Sequence, residues 1–208
     1  MRYASDMSSR RLPAAHGALI QIVDAALADA ARRSGEWLVC RPGCTQCCVG
    51  VFAINQLDAV RLRQGLAELE QTDAARAGRI RARARDSIQR LSAEFPGNAK
   101  TGLLDEGPGA EERFAEFAND EVCAALDPET GSCDLYDARP MTCRTFGPPV
   151  RTDGGLGVCE LCFRGASDEQ IAACEMVVDS DDVESKLLGQ LEKTKGARGR
   201  TIVAFCVK

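Results

Sequence analysis

The chain has 208 residues, 45% of them apolar and 27% charged, a composition that supports a buried core without covalent staples and excludes wholesale disorder. Its formal charge of −5 and pI near 5.1 speak against a general nucleic-acid binder, which needs clustered positive charge to meet phosphates. No stretch reaches the roughly 20 apolar residues that a membrane-spanning helix requires, and residues 1–11 are polar with no apolar run behind them, so the expectation is a cytoplasmic protein without membrane contact.

Residues 14–33 read as a first helix, because Leu19, Val23 and Leu27 recur at i, i+4 and i+8 and Ser34-Gly35 supplies a stop. His16, the one histidine, falls in it and reads as a surface residue. Pro42 and Gly43 then force a turn between Cys40 and Cys44, and residues 49–54 read as a short strand or an extended connection. Asn55 reads as an N-cap with Asp58 at the third helical position, opening a second helix over 56–69.

A third helix, 72–92, carries Ile80, Ala84, Ile88 and Leu91 on one face and Arg76, Arg79, Arg81, Arg83, Arg85 and Arg90 around the remainder. Such a charge run reads as a solvated face. Residues 95–109, with their Pro and Gly, read as a loop, and the Gly97-Asn98-Ala99-Lys100-Thr101 stretch fails the spacing of a phosphate-binding loop. Residues 123–162 hold no periodicity and are dense in Cys, Gly, Pro and Asp, so aliphatic side chains alone cannot order them. Ser167 to Gln170 forms a capping box for a last helix with Ile171, Val178, Leu187, Leu188 and Leu191 as apolar positions. Residues 193–200 then read as a basic linker and 201–207 as a terminal strand.

Eleven cysteines beside a single histidine are the anomaly of the composition. Grouped cysteines in a reducing compartment point to metal ligands or redox groups rather than structural bridges. The first group is Cys40, Cys44, Cys47 and Cys48, spaced C-x3-C-x2-C-C. The adjacent pair Cys47-Cys48 does not easily share one tetrahedral ion, so either the pair serves a multi-atom cluster or one member serves another site. Cys123, Cys133 and Cys143 follow at intervals of ten, and Cys159 and Cys162 form a C-x2-C knuckle. Four thiolates suit zinc and suit iron–sulfur clusters. Cys174, within a helical pattern, and Cys206, within an apolar run, read instead as small buried hydrophobes. Arg139 and Arg144 flank Cys143 and offer donors to thiolate sulfur or to a cofactor's negative charge, with an ordinary ion pair to Asp134 or Asp137 as the alternative. Tyr136 reads as packing beneath the loop.

From Cys44-Thr45-Gln46-Cys47-Cys48, through Cys123, to the run from Gly131 to Gly147 with Tyr136, Arg139-Pro140 and Cys143-Arg144, the chain resembles the YkgJ-type CxxCxxCC cysteine-cluster family. That family is described as zinc- or iron-chelating and is similar in motif to the metal domain of flagellin lysine methylases. The resemblance spans roughly Cys40 to Cys162. The family pattern has two residues between its first two cysteines, and this chain has three.

The fold expected is mainly α, with helices around an irregular, metal-ordered cysteine-rich core and few short strands. The division expected is a helical extension over 1–36, a cysteine-cluster domain over 37–165 containing a helical insertion at 55–95, and a C-terminal helix and tail over 166–208. The function expected is metal binding, with all nine clustered cysteines as ligands of an iron–sulfur cluster in preference to zinc, in a structural, carrier or sensing role with a protein partner the sequence does not name. An iron–sulfur enzyme of redox or methyl-transfer type is the alternative. Cys40, Cys44 and Cys47 do have the C-x3-C-x2-C spacing of radical S-adenosylmethionine enzymes, but the chain has too few strand-like segments for the barrel of that class.

Overall fold

Asn55 sets the start of the central helix: its side-chain oxygen accepts the Asp58 N–H at 3.1 Å, capping the helix Gln56–Thr72 as the sequence predicts. Asp73 alone joins that helix to the next, Ala74–Leu91; its N–H donates to the Leu69 carbonyl and its carboxylate accepts the Arg76 N–H, so one residue ends one helix and caps the other. The computed structural model describes residues 12, 15–152, 155–179 and 181–208. Residues 1–11, read above as a polar start, and Ala14, the expected first residue of the first helix, lie outside them.

In chain order the helices are α1 (His16–Ser34), α2 (Gln56–Thr72), α3 (Ala74–Leu91), α4 (Ala110–Ala115), α5 (Met141–Thr145), α6 (Asp168–Ala173), α7 (Val183–Lys195) and α8 (Val203–Cys206). The strands form three antiparallel hairpins: β1 (Gly97–Asn98) with β2 (Leu103–Leu104), β3 (Leu126–Asp127) with β4 (Ser132–Cys133), and β5 (Val150–Thr152) with β6 (Gly155–Gly157). The protein is thus mainly helical with a few short strands, as expected.

The helix α2 is buried on two sides. Leu57 and Val60 join Leu19 and Val23 of α1, Leu187 and Leu191 of α7, and Met141 at the start of α5. Ala59, Leu62 and Leu66 pack instead on Ala77, Ile80 and Ala84 of α3, on Val203, Cys206 and Val207 at the C-terminus, and on Ala124, Ala125, Leu135 and Ala138 of the cysteine-rich stretch. Gly65 lets that stretch approach, since a Cβ there would come within 2.3 Å of the Ala138 methyl. A third cluster is aromatic, with Phe95 edge-on to Phe117 at 5.8 Å and 4.9 Å from Phe205.

Two expected elements take another form. The terminal strand reduces to one bridge, Thr201 to Ile54, before the chain turns into α8. Its residues are apolar and buried all round, a pattern that cannot separate a strand from a buried helix by periodicity. The last helix is two helices. The chain leaves α6 at Cys174, the Met176 N–H bonds to the Pro149 carbonyl at 2.7 Å, and the Asp179 carboxylate accepts the N–H groups of Val183 and Glu184 at 2.9 and 2.8 Å. A short acidic side chain that can satisfy a helix start ends the extended link and begins α7 there.

Candidate metal centre

The adjacent cysteines lie in a 3-10 turn, Gln46–Cys48, and the chain leaving it is stapled to the segment before Cys123. The Cys123 N–H donates to the Cys48 carbonyl at 2.8 Å, the Gly50 N–H donates to the Glu121 carbonyl at 2.9 Å, and Val49 bridges Val122. The β3–β4 hairpin then pairs Leu126 with Cys133 while the Leu126 N–H bonds back to the Cys123 carbonyl, which returns Cys133 to the same place. Cys143 arrives on α5, whose first N–H, at Met141, donates to Asp58 Oδ1 of α2 at 3.1 Å. A cavity of ≈ 530 Å³ opens among these segments, lined by Cys40, Cys44, Cys47, Cys48, Cys123, Cys133, Cys143 and Cys159, with Phe52, Phe146 and Leu62 on its apolar walls.

The thiols around it act on one another. Cys47 is drawn down to about 6, first by a hydrogen bond from Cys48, then by its own backbone N–H and the charge of Arg139, against the opposing effect of burial. Cys48 is pushed up by the same hydrogen bond, by burial, and by the charges of Cys47, Cys123 and Cys133. Burial pushes Cys123 up to about 11, with Cys133 and Cys47 adding to it. Cys143 rises through burial and then through Cys123, Cys47 and Cys133. Both members of the adjacent pair lie within influence of Cys123 and Cys133, and Cys47 of Cys143 as well. Crowded thiols resist ionisation until a cation neutralises them, and a bound metal reverses that penalty.

Arg79, Arg85 and Arg90 of α3 are exposed, as a solvated face requires, but Arg76 and Arg83 are half-buried and bind the cysteine-rich stretch. Arg76 Nε and Arg83 Nη2 donate to the two oxygens of Asp134 at 2.5 and 2.6 Å, and the Asp134 side chain is only 2% exposed. Arg83 Nε also holds the Ala124 carbonyl at 2.8 Å. Arg81 pairs with Glu70, and Arg90 with Glu121 beside Cys123. These contacts clamp the cysteine-rich stretch to α3 on both sides of Cys123 and Cys133. The signal was Asp134 directly after Cys133, but it names no partner.

Arg139 and Arg144 part company. The Arg139 guanidinium lies 3.9 Å over the Tyr136 ring and donates to the Tyr136 carbonyl, close enough to help draw Cys47 down. Tyr136 itself is 60% exposed rather than packed beneath the loop, its ring serving as a platform for that cation. Arg144 also borders the cavity, but its donors go to Asp24 of α1 at 2.6 and 2.9 Å and to the carbonyls of Arg139 and Asp137. Its ion-pair partner is thus neither Asp134 nor Asp137.

His16 is buried, not at the surface. Arg61 Nη1 meets its Nε2 at 2.9 Å, and because a guanidinium only donates, that nitrogen accepts and the ring is neutral. Burial first, then the charges of Arg61 and Arg144, lowers its pKa to about 4. Cys206 is buried in the aliphatic core, and Cys174 is buried beside Cys159, Cys162 and Phe163.

Among the described residues, no group of three or more His, Cys, Asp or Glu side chains is already set at metal-binding geometry. The mutual influence of the thiols nevertheless places them within reach of one another. The closeness of the chain segments comes from the backbone bonds between them. The donor set itself, soft sulfur without imidazole, fits zinc or iron.

The family model described as "CxxCxxCC: Putative zinc- or iron-chelating domain" matches residues 39–162, more than half of the chain. The chain belongs to this family. No curated protein and no solved structure matches it. The CxxCxxCC match begins one residue before Cys40 and ends on Cys162, so it takes in the cysteines that line the cavity, α2 and α3, and leaves α1, α7 and α8 to either side. No helix among the described residues is long and apolar enough to cross a membrane.

Proposed function

We propose that this CxxCxxCC protein holds an iron–sulfur cluster through Cys47, Cys48, Cys123, Cys133 and Cys143, as a cytoplasmic carrier, sensor or structural metal protein that works with a protein partner and without general nucleic-acid binding. The observation that carries the reading is a cavity of ≈ 530 Å³ lined by eight thiols, these five among them, two of which are adjacent in sequence. A single tetrahedral ion takes four thiolates at about 2.3 Å. An iron–sulfur cluster takes four as well, so it is the adjacent pair Cys47-Cys48, which does not easily share one ion, that favours a multi-atom centre, with zinc as the lesser alternative. Cys47, ionised most readily, is the first thiolate to offer. Arg139, stacked on Tyr136, sets a fixed positive charge near the thiolates, while the Asp134 clamp holds Cys133 in register. The cluster would supply electron storage or a redox-sensitive readout.

One feature favours a second reading as an iron–sulfur enzyme of redox or methyl-transfer type. The cavity falls within the range of about 300–1,000 Å³ that small-molecule sites occupy, with mostly apolar walls and a few polar groups. Protein purified without oxygen and analysed for iron, zinc and acid-labile sulfide, with its visible spectrum, tests the first reading. Brown protein with iron and sulfide in equal amounts is expected. A colourless protein with stoichiometric zinc and neither iron nor sulfide would overturn the cluster and leave the thiolate site.

A further inference from the structure

We infer that Cys40, Cys44, Cys159 and Cys162 form a second, separate metal site, a closed four-thiolate centre for zinc outside the five-cysteine group. The inference rests on the thiolate–metal reading above and divides its cysteines by position in space rather than by sequence.

The two stretches that carry these four are docked on each other from both sides of the sulfurs. The Phe163 N–H donates to the Trp37 carbonyl at 2.9 Å and the Cys159 N–H to the Gly147 carbonyl at 3.4 Å, while Gln46 Nε2 donates to Glu160 Oε1 at 2.7 Å. The Cys40 sulfur rests against Gly147, where a Cβ would come within 2.9 Å of it. Gly147 has φ +122°, a conformation that glycine adopts freely. A glycine here keeps clear the approach of Cys40 to the segment that leads into Cys159.

Each pair is presented by a tight turn. The Cys44 N–H bonds to the Arg41 carbonyl and the Cys162 N–H to the Cys159 carbonyl, both at 2.9 Å. Spacings of C-x3-C and C-x2-C are those by which structural zinc sites take two sulfurs from each of two turns. Cys159 and Cys162 are buried with Cys174 among Trp37, Leu38, Phe146 and Phe163, whereas Cys40 is exposed and Cys44 half-buried, so an apolar shell covers one side of the site. Cys40, Cys44 and Cys159 also line the cavity that the other five thiols border, so the two sites would be neighbours.

The C-x3-C-x2-C-C run is thereby split at the 3-10 turn Gln46–Cys48, its first two sulfurs serving one site and its last two the other. Four donors complete a tetrahedral ion, so this centre has no open position and its role is structural. It joins residues more than a hundred apart in sequence, at the two ends of the stretch that the family model matches.

Mass-spectrometric mapping of cysteine alkylation, on anaerobic wild-type protein treated with rising chelator, tests the division without any substitution. Cys40, Cys44, Cys159 and Cys162 are expected to become reactive together as zinc is released, in a step separate from Cys47, Cys48, Cys123, Cys133 and Cys143. Release of Cys40 and Cys44 in one step with Cys47 and Cys48, while Cys159 and Cys162 behave independently, would overturn it. If all nine are released in a single step, paired variants decide. C40S/C44S and C159S/C162S are each expected to lose the same single zinc equivalent and keep the metal of the five-cysteine group, and loss of that second metal from folded variants would refute the division. Two zinc equivalents in the wild type would refute the cluster while the grouping of cysteines still tests the partition.

Discussion

The α2–α3 pair and the cysteine-rich stretch that leans on it are ordered by different means. Between the helices, Leu62, Leu66 and Ile80 are almost wholly buried, and helix caps at Asn55 and Asp73 fix both starts. Burial of such side chains, at about 1.5–3 kcal/mol each, suffices to hold a helical pair on a core. Residues 123–162 contribute only small or isolated apolar groups to that core, chiefly Ala124, Ala125, Leu135 and Ala138. Their order comes from the Asp134 clamp, from backbone bonds to the Cys48 segment, and from whatever neutralises the gathered thiols. The aliphatic side is therefore expected to give a platform that survives without metal, and the cysteine side a segment that depends on it.

Metal removal breaks this comparison most strongly. Anaerobic chelation with reductant present is expected to strip amide-exchange protection from residues 123–162, with a loss on the order of 10 kcal/mol in local stabilisation if the metal behaves as in small zinc modules. The amides of α2 and α3 are expected to stay protected. Equal loss of protection in both regions would mean that the helices depend on metal as much as the cysteine stretch does.

The clamp between the two regions gives the next effect. In R76A/R83A the buried Asp134 carboxylate loses both partners, and a cost of about 3–5 kcal/mol is expected by denaturant unfolding. D134A removes the buried charge itself and leaves two arginines that can reach water, so a smaller cost, about 1–3 kcal/mol, is expected. The reverse order would contradict the burial argument.

Acidity separates the helical platform from the thiols in another way. Burial raises Asp58 to about 6, partly offset by Arg61, whereas His16 is lowered to about 4. Between about pH 4 and 6.5 the folded state takes up a proton at Asp58 that the unfolded chain does not, so this group adds stability as pH falls. The unfolded chain takes up a proton at His16 that the folded state does not, so that group removes stability as pH falls. Each shift corresponds to roughly 3 kcal/mol, and the two nearly cancel. Relative to wild type at each pH, H16Q is expected to gain stability from pH 6.5 down to 4 and D58N to lose it. Parallel curves for the two variants would contradict the opposed shifts. C206A gives the smallest effect, a loss of about 1 kcal/mol with metal content unchanged, because its thiol faces the core and meets the Ile202 carbonyl at 3.6 Å.

How much of this was legible in sequence follows the range of each interaction. Caps at Asn55 and Ser167 were readable because the residues that satisfy each other are three apart. The nine clustered cysteines stood out through their spacing and their resemblance to a family. Which cysteine meets which was not readable, since Cys159 and Cys162, which act on Cys40, lie far along the chain and spacing fixes no pairing. The same limit hid the arginines of α3 and the burial of His16, whose partners Asp134 and Arg61 sit on other segments. The run from Thr201 to Val207 was ambiguous for a different reason: its apolar residues suit any element buried on all sides.

Iron K-edge X-ray absorption of the anaerobically purified protein tests the central claim most directly, that converging thiolates and no other side chains hold the metal. The expected result is a first shell of sulfur alone at about 2.3 Å with a second shell of iron. A first shell of nitrogen and oxygen, or protein that folds with no iron or zinc bound, would contradict the account.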